Sequence, residues 1–386
     1  MSLLQTRQVK SFWKHKRLPP SDLPFKESPA LFESVTMNDL IDQLAEDAFE
    51  AGATDLFLCE DQVPRVRLNN EIQVPGASAL DHKCMADFWK KCHADPETTQ
   101  EKDTSHIISG GRRLRVNLYK SLGLLSAVLR PIKDVIPSME ELGAPQELMS
   151  NWVSRQSGLI LITGPTGSGK STTLASSLQG VNENQARHIV TIEDPIEYVF
   201  SNKLSYFSQR ELHSDTPSFS SALRASLRQS PDVIFLGEIR DEETAKISLQ
   251  AAETGHLVLA TLHSSGVTDS LERIANLFDP DTRDSSLKLL SHHLIGILSQ
   301  QLLPRQQGGL LLAVEHLQNE AATRAWIRES NLTEISDHIN RSDSSSNCSF
   351  VRFLVAAAQQ GFIDEATARQ SSPNTQDFDR LFRGIT

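Results

Sequence analysis

Two patterns of apolar and polar positions divide the chain. Up to about residue 143, apolar residues recur at the spacing of one helix face or alternate as in half-buried strands. From residue 158 onward they form continuous runs separated by helical segments. The change predicts an N-terminal domain with one-sided elements, followed by a domain built on a buried sheet.

The N-terminal part begins with a predicted helix. Thr36 followed by Asp39 is typical of a helix start, apolar residues from Met37 to Phe49 keep the helical spacing, and Gly52 ends the helix. Strands are predicted next at 55–59, 64–68 and 71–74, with Asn69-Asn70 as a turn. Residues 1–35, basic at first and then proline-containing, are interpreted as a loosely ordered extension rather than a binding arm.

Residues 112–132 predict a β-hairpin. Polar and apolar positions alternate along its first strand, which places Arg113 and Arg115 on the same exposed face. The return strand runs from about residue 124 to residue 130. A short helix at 139–143 marks the predicted domain boundary.

The second part predicts an α/β fold with a parallel sheet, because unbroken apolar strands between helices are typical of a sheet covered on both faces. The four apolar runs are 159–163, 188–192, Val233–Leu236 and Leu257–Leu262. From about residue 320 the chain is predicted to be helical, with a serine-rich loop at 342–349. No internal repeat is found.

A phosphate-binding loop follows the first of these runs. Gly164-Pro-Thr-Gly-Ser-Gly169-Lys170-Ser171 matches GxxxxGK[ST] in full, after a strand and at the start of a helix. Such a loop turns backbone N–H groups toward phosphate oxygens, its lysine reaches the β and γ phosphates, and its serine is a magnesium ligand. The full match disfavours a glycine-rich turn without a ligand. The predicted nucleotide-binding residues are Gly164, Pro165, Thr166, Gly167, Ser168, Gly169, Lys170, Ser171 and Thr172.

Acidic and polar residues follow the other three runs. In an open parallel sheet, ligands bind beyond the carboxyl ends of the strands, so these side chains are expected near the phosphates. Hydrolysis needs an oriented water, a proton acceptor and a held magnesium ion, which carboxylates can supply. The residues are Glu193, Asp194 and Glu197, then Glu238 and Arg240, then His263, Ser264 and Ser265.

Glu238 ends a strand resembling a Walker B strand, with glutamate in place of the usual aspartate. A merely solvated carboxylate is the disfavoured alternative. His256 and His263 bracket one strand and are too far apart to share a metal. His263 is predicted at the active edge and His256 at the far end.

Three further segments resemble the Asp box, Walker B and His box of the bacterial secretion ATPases: Thr191-Ile-Glu-Asp-Pro-Ile-Glu197, Ser230-Pro-Asp-Val-Ile-Phe-Leu-Gly-Glu-Ile-Arg-Asp241 and Thr254-Gly-His-Leu-Val-Leu-Ala-Thr-Leu-His263. Within them the chain is most similar to the type IV pilus retraction ATPases (PilT and PilU type). The similarity begins at about residue 36 and is densest from 111 to 280.

This resemblance implies a RecA-like P-loop ATPase core at 144–386, ending in helices from about 320, and a preceding PAS-like domain at 36–143. It implies a homo-hexamer that uses ATP and Mg²⁺. Glu197 would be the general base, Glu238 a support for magnesium (with Ser171) or for the attacking water, and His263 a sensor of the γ-phosphate. Glu193 is predicted as a further catalytic carboxylate. Arg113, Arg115 and Arg130 match arginines that act as fingers toward the nucleotide.

Two departures from the family pattern bear on function. The middle of the hairpin, Lys120-Ser-Leu-Gly-Leu-Leu125, lacks an arginine that family members often have. The chain also lacks the four-cysteine zinc insertion usual in extension ATPases, so no zinc is expected. The segment Ala322-Thr-Arg-Ala-Trp-Ile-Arg-Glu329 resembles a helix motif of the retraction branch, with changes.

Composition bears on the cellular location of the protein and on the kinds of partner it can bind. The formal charge is −11, from 38 basic and 49 acidic residues, which disfavours nucleic-acid binding. Four cysteines without a CxxC pair fit a reducing cytoplasm, and Cys84 and Cys92 are interpreted as core residues. Neither a signal peptide nor a run of roughly 20 apolar residues is found. We therefore expect a cytoplasmic protein, associated with the inner membrane through partners.

The favoured hypothesis is a ring motor that retracts a type IV pilus, working on an inner-membrane platform protein of that machine. A paralogous ATPase is a possible hetero-partner. One alternative is the same enzyme in a type IV or type II secretion or conjugation machine. Another alternative is an accessory subunit that hydrolyses ATP weakly. The missing hairpin arginine is the feature that supports this alternative.

Overall fold

A computed structural model describes residues 40–68, 71–108, 111–132, 135–341 and 346–385. The chain divides into two compact units, Met1–Lys133 and Asp134–Thr386. The predicted extension at 1–35, the helix start at Thr36 and the turn at Asn69-Asn70 lie outside the described residues, as does much of the serine-rich loop.

The first unit is a six-stranded antiparallel sheet in the order β3-β2-β1-β6-β5-β4. Its strands are β1 (Asp55–Cys59), β2 (Arg65–Leu68), β3 (Glu71–Gln73), β4 (Glu101–Ile107), β5 (Arg113–Ser121) and β6 (Leu124–Pro131). Its helices are α1 (Leu40–Glu50) and α2 (His82–Lys91). The predicted strands and hairpin are confirmed. The additional edge strand β4 was not predicted, because its residues are mostly polar.

Strand β5 separates the two faces of this sheet. Leu114, Val116 and Leu118 are fully buried in the core that also holds α1 and α2. Cys84 and Cys92 are buried there as well, which confirms their structural interpretation. The alternate positions Arg113, Arg115 and Asn117 face away from that core.

The second unit contains an eight-stranded sheet in the order β14-β13-β12-β7-β11-β10-β8-β9. The neighbours from β12 to β9 are parallel, and β13 and β14 are added antiparallel at one edge. The strands are β7 (Gly158–Thr163), β8 (His188–Glu193), β9 (Tyr206–Glu211), β10 (Val233–Leu236), β11 (Leu257–Leu262), β12 (Leu294–Pro304), β13 (Leu310–Gln318) and β14 (Asn347–Cys348).

The central strands are buried on both faces, as their unbroken apolar runs predict. Along β7, Leu159 and Leu161 pack into one cluster, and Ile160 and Ile162 pack into the cluster on the opposite face. The α/β class is therefore confirmed. The strands β9, β12 and β13 were not predicted. In β9 and β12 polar residues interrupt the apolar pattern, although Gln300 of β12 is fully buried.

Helices cover both faces of this sheet and form the C-terminal part. They are α3 (Met139–Leu142), α4 (Gln146–Val153), α5 (Lys170–Asn184), α6 (Phe219–Ser226), α7 (Glu242–Glu253), α8 (Val267–Leu277), α9 (Pro280–His293), α10 (Ala321–Arg328), α11 (Leu332–Arg341), α12 (Phe350–Gln359), α13 (Glu365–Ser371) and α14 (Thr375–Phe382). No helix in the described ranges is long and apolar enough to cross a membrane.

The division between the units falls ten residues before the predicted boundary at 143, since it lies after Lys133. The reason is the packing of α3. Met139 is buried in the second unit's core, where Ser177 of α5 donates a hydrogen bond to its sulfur at 3.8 Å. The short helix thus belongs to the second unit.

Candidate functional site

The predicted phosphate loop connects β7 to α5 and depends on its glycines. Gly164 has φ +147°, and a Cβ there would lie 2.3 Å from the carbonyl oxygen of Gln300. Gly169, directly before α5, has φ +86°. Both backbone conformations are strained for any residue with a side chain, and at Gly164 there is also no space for one. The loop geometry therefore requires glycine at both positions.

Lys170 is buried at the mouth of this loop. Its Nζ donates to the carbonyl oxygens of Gly164 at 2.8 Å and Pro165 at 3.0 Å. Burial lowers the pKa of Lys170, and the charges of Glu238 and Glu197 oppose that effect. Both of these acceptors are neutral, so the ammonium can bind phosphate oxygens, which carry negative charge.

Gln300 of β12 contacts the phosphate loop from the neighbouring strand. The sequence analysis did not predict this residue as part of the site. Its Nε2 donates to the carbonyl oxygen of Ser168 at 2.7 Å, and the side chain is fully buried. Together with the close approach of its own backbone to Gly164, this bond ties both ends of the loop to the sheet. The only sequence signal was a polar residue within an unrecognised strand.

The Asp box lies against the first turn of α5. Ser171 Oγ donates to Glu197 Oε1 at 2.9 Å, and the hydroxyl groups of Thr172 and Tyr198 are 2.9 Å apart. The structure thus brings Ser171 and Thr172 of the phosphate-loop motif together with the Asp-box segment that carries Glu197. The carboxylate of Glu197 lies beside the predicted magnesium ligand Ser171.

Glu193 lies deeper, at the end of β8. Its Oε1 accepts hydrogen bonds from Thr191 at 2.7 Å and from Gln209 at 3.4 Å. Burial raises the pKa of Glu193 to about 7, although these hydrogen bonds oppose the shift. The group is therefore partly protonated at neutral pH, unlike an ordinary carboxylate.

Gln209 of β9 holds the loop that carries Glu197. In addition to Glu193, its amide donates to the carbonyl oxygen of Tyr198 at 2.8 Å and accepts from the backbone N–H of Phe200 at 2.9 Å. Its position on an unpredicted strand is the reason it was missed. It orients the loop without lying at the phosphate loop itself.

Glu238 and His263 meet at the ends of β10 and β11. His263 Nε2 is 3.5 Å from Glu238 Oε1, and His263 Nδ1 is 3.4 Å from Lys170 Nζ. Burial first, and then the charge of Lys170, lower the pKa of His263 against the opposing charge of Glu238. The lowered pKa favours the neutral form of the imidazole at pH 7.

Arg240 also holds Glu238. Its Nε donates to Glu238 Oε2 at 2.6 Å, and its Nη1 is 3.5 Å from Asp194 Oδ2. Arg240 thereby links the Walker B and Asp-box segments. His256, in contrast, lies at the opposite end of β11, where its Nδ1 is 3.1 Å from the carbonyl oxygen of Ala251.

The two residues predicted to hold magnesium carry suitable oxygen atoms. Ser171 offers a hydroxyl and Glu238 a carboxylate, the ligand types that Mg²⁺ prefers. In the described ranges, no three His, Cys, Asp or Glu side chains form a metal cage. A site of one or two protein ligands is what nucleotide-bound magnesium uses, since phosphates and water complete its shell.

The three predicted finger arginines belong to the first unit and share one face of its sheet. Arg115 lies directly opposite Arg130 across the β5–β6 hairpin, and Arg113 is two residues from Arg115 on β5. Arg113 donates to Ser105 Oγ at 2.7 Å, and Arg115 is 3.9 Å from Asp103. Arg130 pairs with Asp55. The acidic partners offset the repulsion between two facing arginines.

Comparison with known proteins gives a consistent result. The family described as "Type II/IV secretion system protein" matches residues 33–352. The type IV pilus retraction ATPase PilT of Pseudomonas aeruginosa is 36% identical over 348 residues, covering 88% of this chain and 100% of the relative. A twitching motility protein of Neisseria gonorrhoeae is 40% identical over 322 residues, covering 81% and 85%. A crystal structure of the pilus retraction motor PilT with bound ADP superposes with a TM-score of 0.82 at 38% identity, covering 88% of this chain and 99% of that one.

Proposed function

The chain belongs to the type II/IV secretion system protein family and, within it, to the type IV pilus retraction ATPases; from this premise we propose that it is an ATP-hydrolysing motor that drives pilus retraction. The nucleotide is ATP, bound at the phosphate loop of the second unit. The observation that carries the proposal is the convergence of three residues from separate motifs. His263 lies 3.4 Å from the phosphate-loop residue Lys170 and 3.5 Å from Glu238.

The residues of this chain have separable tasks in hydrolysis. Lys170 holds the β and γ phosphates. The oxygen of a water molecule bonds to the γ phosphorus while the bond to the β–γ bridging oxygen breaks, and ADP leaves with that electron pair. The water proton passes to the carboxylate of Glu197, the proposed general base. Glu193, which is buried and partly protonated, is proposed as a further catalytic group.

Magnesium, when bound with the nucleotide, supplies charge neutralisation at the phosphates. Ser171 and Glu238 are its proposed protein ligands. His263 contacts Lys170 and Glu238, so it is placed to sense the γ-phosphate between them. Its neutral state makes it a hydrogen-bond donor and acceptor rather than a permanent counter-ion.

The complete site is proposed to form between subunits of a homo-hexamer. Arg113, Arg115 and Arg130 would reach the nucleotide of a neighbouring subunit and stabilise the transition-state charge. Their common sheet face supports this role, since a single face can be presented to one ligand. The proposed external partner is an inner-membrane platform protein, through which a cytoplasmic ring would be tethered.

The helix α10 supports assignment to the retraction branch. Arg324 and Arg328 are both exposed and lie four residues apart, so they share a helix face. In this helix motif, Thr323 and Trp326 replace residues that are usually aliphatic, and both make contacts within the protein. Thr323 is fully buried and donates to Asn319 Oδ1 at 2.9 Å, and the ring of Trp326 lies 5.5 Å from that of His338. The exposed, charged part of the motif is thus preserved.

Two measurements test the proposal. Steady-state hydrolysis of ATP by the purified chain tests the enzyme. Deletion of the gene tests the direction of work: surface pili should persist, in greater number, while twitching stops. A deletion strain without surface pili would indicate an extension motor instead, and one with normal pili and twitching would indicate a different machine.

The tip of the β5–β6 hairpin favours a second candidate function, that of an accessory subunit. The turn at Leu122-Gly123 carries no arginine, and Leu122 is almost fully exposed with φ +53°. A subunit with an incomplete finger set would hydrolyse ATP weakly and act as an accessory to a paralogous ATPase. Turnover of the purified chain, alone and mixed with that paralogue, distinguishes the two candidates.

A further inference from the structure

A cleft of about 420 Å³ opens beside the phosphate loop. It is lined by Pro165, Thr166, His263, Ser264, Ser265 and Arg273. All of these residues except Pro165 carry a polar side chain. Ser264, Ser265 and Arg273 have no part in the hydrolysis described above, so the cleft extends the site beyond the groups that cleavage requires.

The wall of the cleft is fixed to the base of the phosphate loop. Ser264 Oγ is 2.7 Å from Ser270 Oγ, and Ser270 donates to Thr163 Oγ1 at 3.0 Å. Ser270 and Thr163 are fully buried. Thr163 is the last residue of β7, directly before Gly164. The serine wall and the phosphate loop are therefore held in one rigid arrangement.

Arg273 supplies the positive charge of this cleft. It lies on α8 one turn after Ser270, and its side chain is exposed. Within the described part of the chain no ion pair or hydrogen bond engages its guanidinium, and its charge contributes to the lowered pKa of His263. A guanidinium among hydroxyl groups is suited to a tetrahedral oxyanion, which accepts several such donors at once.

His263 separates this cleft from the position of the γ-phosphate. The ring lines the cleft, and its Nδ1 lies 3.4 Å from Lys170 Nζ and 3.5 Å from Thr166 Oγ1. Since the phosphate-loop lysine contacts the γ-phosphate, a phosphate released there can move past His263 into the cleft without crossing the protein core.

We propose that the cleft is a product site that binds inorganic phosphate through Arg273 and the hydroxyl groups of Thr166, Ser264 and Ser265 before its release. This inference rests on the proposed ATPase function. It assigns to this chain a step after cleavage, in which phosphate departure is delayed by a built anion site rather than left to diffusion.

The first test is direct binding of inorganic phosphate to the full chain, with ADP occupying the phosphate loop. Wild-type protein should bind phosphate, and Arg273→Ala should weaken that binding at least about tenfold, the scale of a charge-assisted contact. Arg273→Lys should fall between them, because it keeps the charge but not the two-pronged donor. Lys288→Ala, which removes an exposed cation outside the cleft, is the matched control. Equal phosphate affinity in wild type and Arg273→Ala overturns the proposal.

The second test follows the phosphate that the enzyme itself produces, rather than phosphate added to the solution. In wild type, release detected by a fluorescent phosphate sensor should lag behind cleavage measured by acid quench, and Arg273→Ala should shorten this lag while the KM for ATP stays within about twofold. An unchanged lag, or a KM for ATP raised in proportion to the loss of turnover, overturns the proposal. A wild-type chain that binds phosphate but does not cleave ATP would count against the ATPase function and leave the cleft supported.

Discussion

Ser171 donates its hydroxyl to the carboxylate of Glu197, 2.9 Å away, although the two residues come from different sequence motifs. This bond links the first turn of α5 to the Asp box. Glu197 is therefore positioned beside the predicted magnesium ligand. Glu238 is held by Arg240, which follows the same strand, and by His263, which follows the neighbouring strand. The arrangement makes the roles of the two carboxylates experimentally separable.

Glu197→Gln and Glu238→Gln should both retain ATP binding and lose turnover at least about tenfold, the scale expected when a general base or metal support is removed. Their magnesium dependence should differ. Glu238→Gln should need more Mg²⁺ for half-maximal rate, while Glu197→Gln should keep the wild-type requirement. Steady-state rates over a Mg²⁺ titration give both quantities. An increased requirement in Glu197→Gln alone would exchange the two roles.

Lys170→Ala should abolish productive ATP binding, because the loop loses the ammonium that its carbonyl groups hold in place. The lost charge-assisted contacts are worth about 1.5–3 kcal/mol. Binding of a fluorescent ATP analogue and turnover should be measured together. The control is Lys288→Ala, which should behave as wild type. Near-normal affinity and turnover in Lys170→Ala would contradict the site.

Glu193 should make stability depend on pH in a defined direction. Burial raises its folded pKa to about 7 from an ordinary 4.5, so the folded protein holds its proton more tightly than the unfolded chain. The resulting stabilisation is fully present below about pH 4.5 and is lost as the pH rises through about 7. Glu193→Gln, which mimics the protonated group, should not show this loss.

The measurement is urea unfolding of the nucleotide-free wild type and Glu193→Gln across pH 5 to 8. The variant should gain stability relative to wild type with rising pH, by on the order of 3 kcal/mol over this window. A constant difference between the two proteins would show that Glu193 is ionised throughout.

Arg113→Ala and Arg130→Ala should each bind ATP but hydrolyse it poorly, because we propose that these arginines act on a neighbouring subunit's nucleotide. Mixing Arg113→Ala subunits with Lys170→Ala subunits should restore part of the activity, since an intact half-site from each can meet at one interface. Rings of the double variant Arg113→Ala/Lys170→Ala are the inactive control. Mixed rings that form without any rescue would place the arginines in their own subunit or outside catalysis.

Alanine at both Arg324 and Arg328 should stop twitching without changing ATP affinity, because both side chains are exposed on α10 and neither is among the residues that contact the phosphate loop. Surface pili should persist, as in a deletion strain. Arg341→Ala, another exposed arginine of the same helical region, should leave twitching normal. Normal twitching in the double variant would remove this helix face from the retraction mechanism.

The local pattern of the sequence was enough for the parts of the site that belong to one motif. The phosphate loop, the strand before it and the carboxylates after β8 and β10 were predicted because each depends on a short run of neighbouring residues. The face shared by Arg113 and Arg115 was predicted for the same reason, since strand alternation is a property of adjacent positions.

Tertiary structure decided which separate motifs touch. The order of the sheet places β12 beside β7 and β9 beside β8, and this brings Gln300 under the phosphate loop and Gln209 against the Asp box. In the sheet of the first unit, the pairing of β5 with β6 sets Arg130 opposite Arg115. Strand pairing joins residues far apart in the chain, so no local periodicity specifies it. In a sequence pattern, a glutamine within a strand counts only as a polar position. Its neighbours in space determine whether its side chain is exposed to solvent or is buried and hydrogen-bonded.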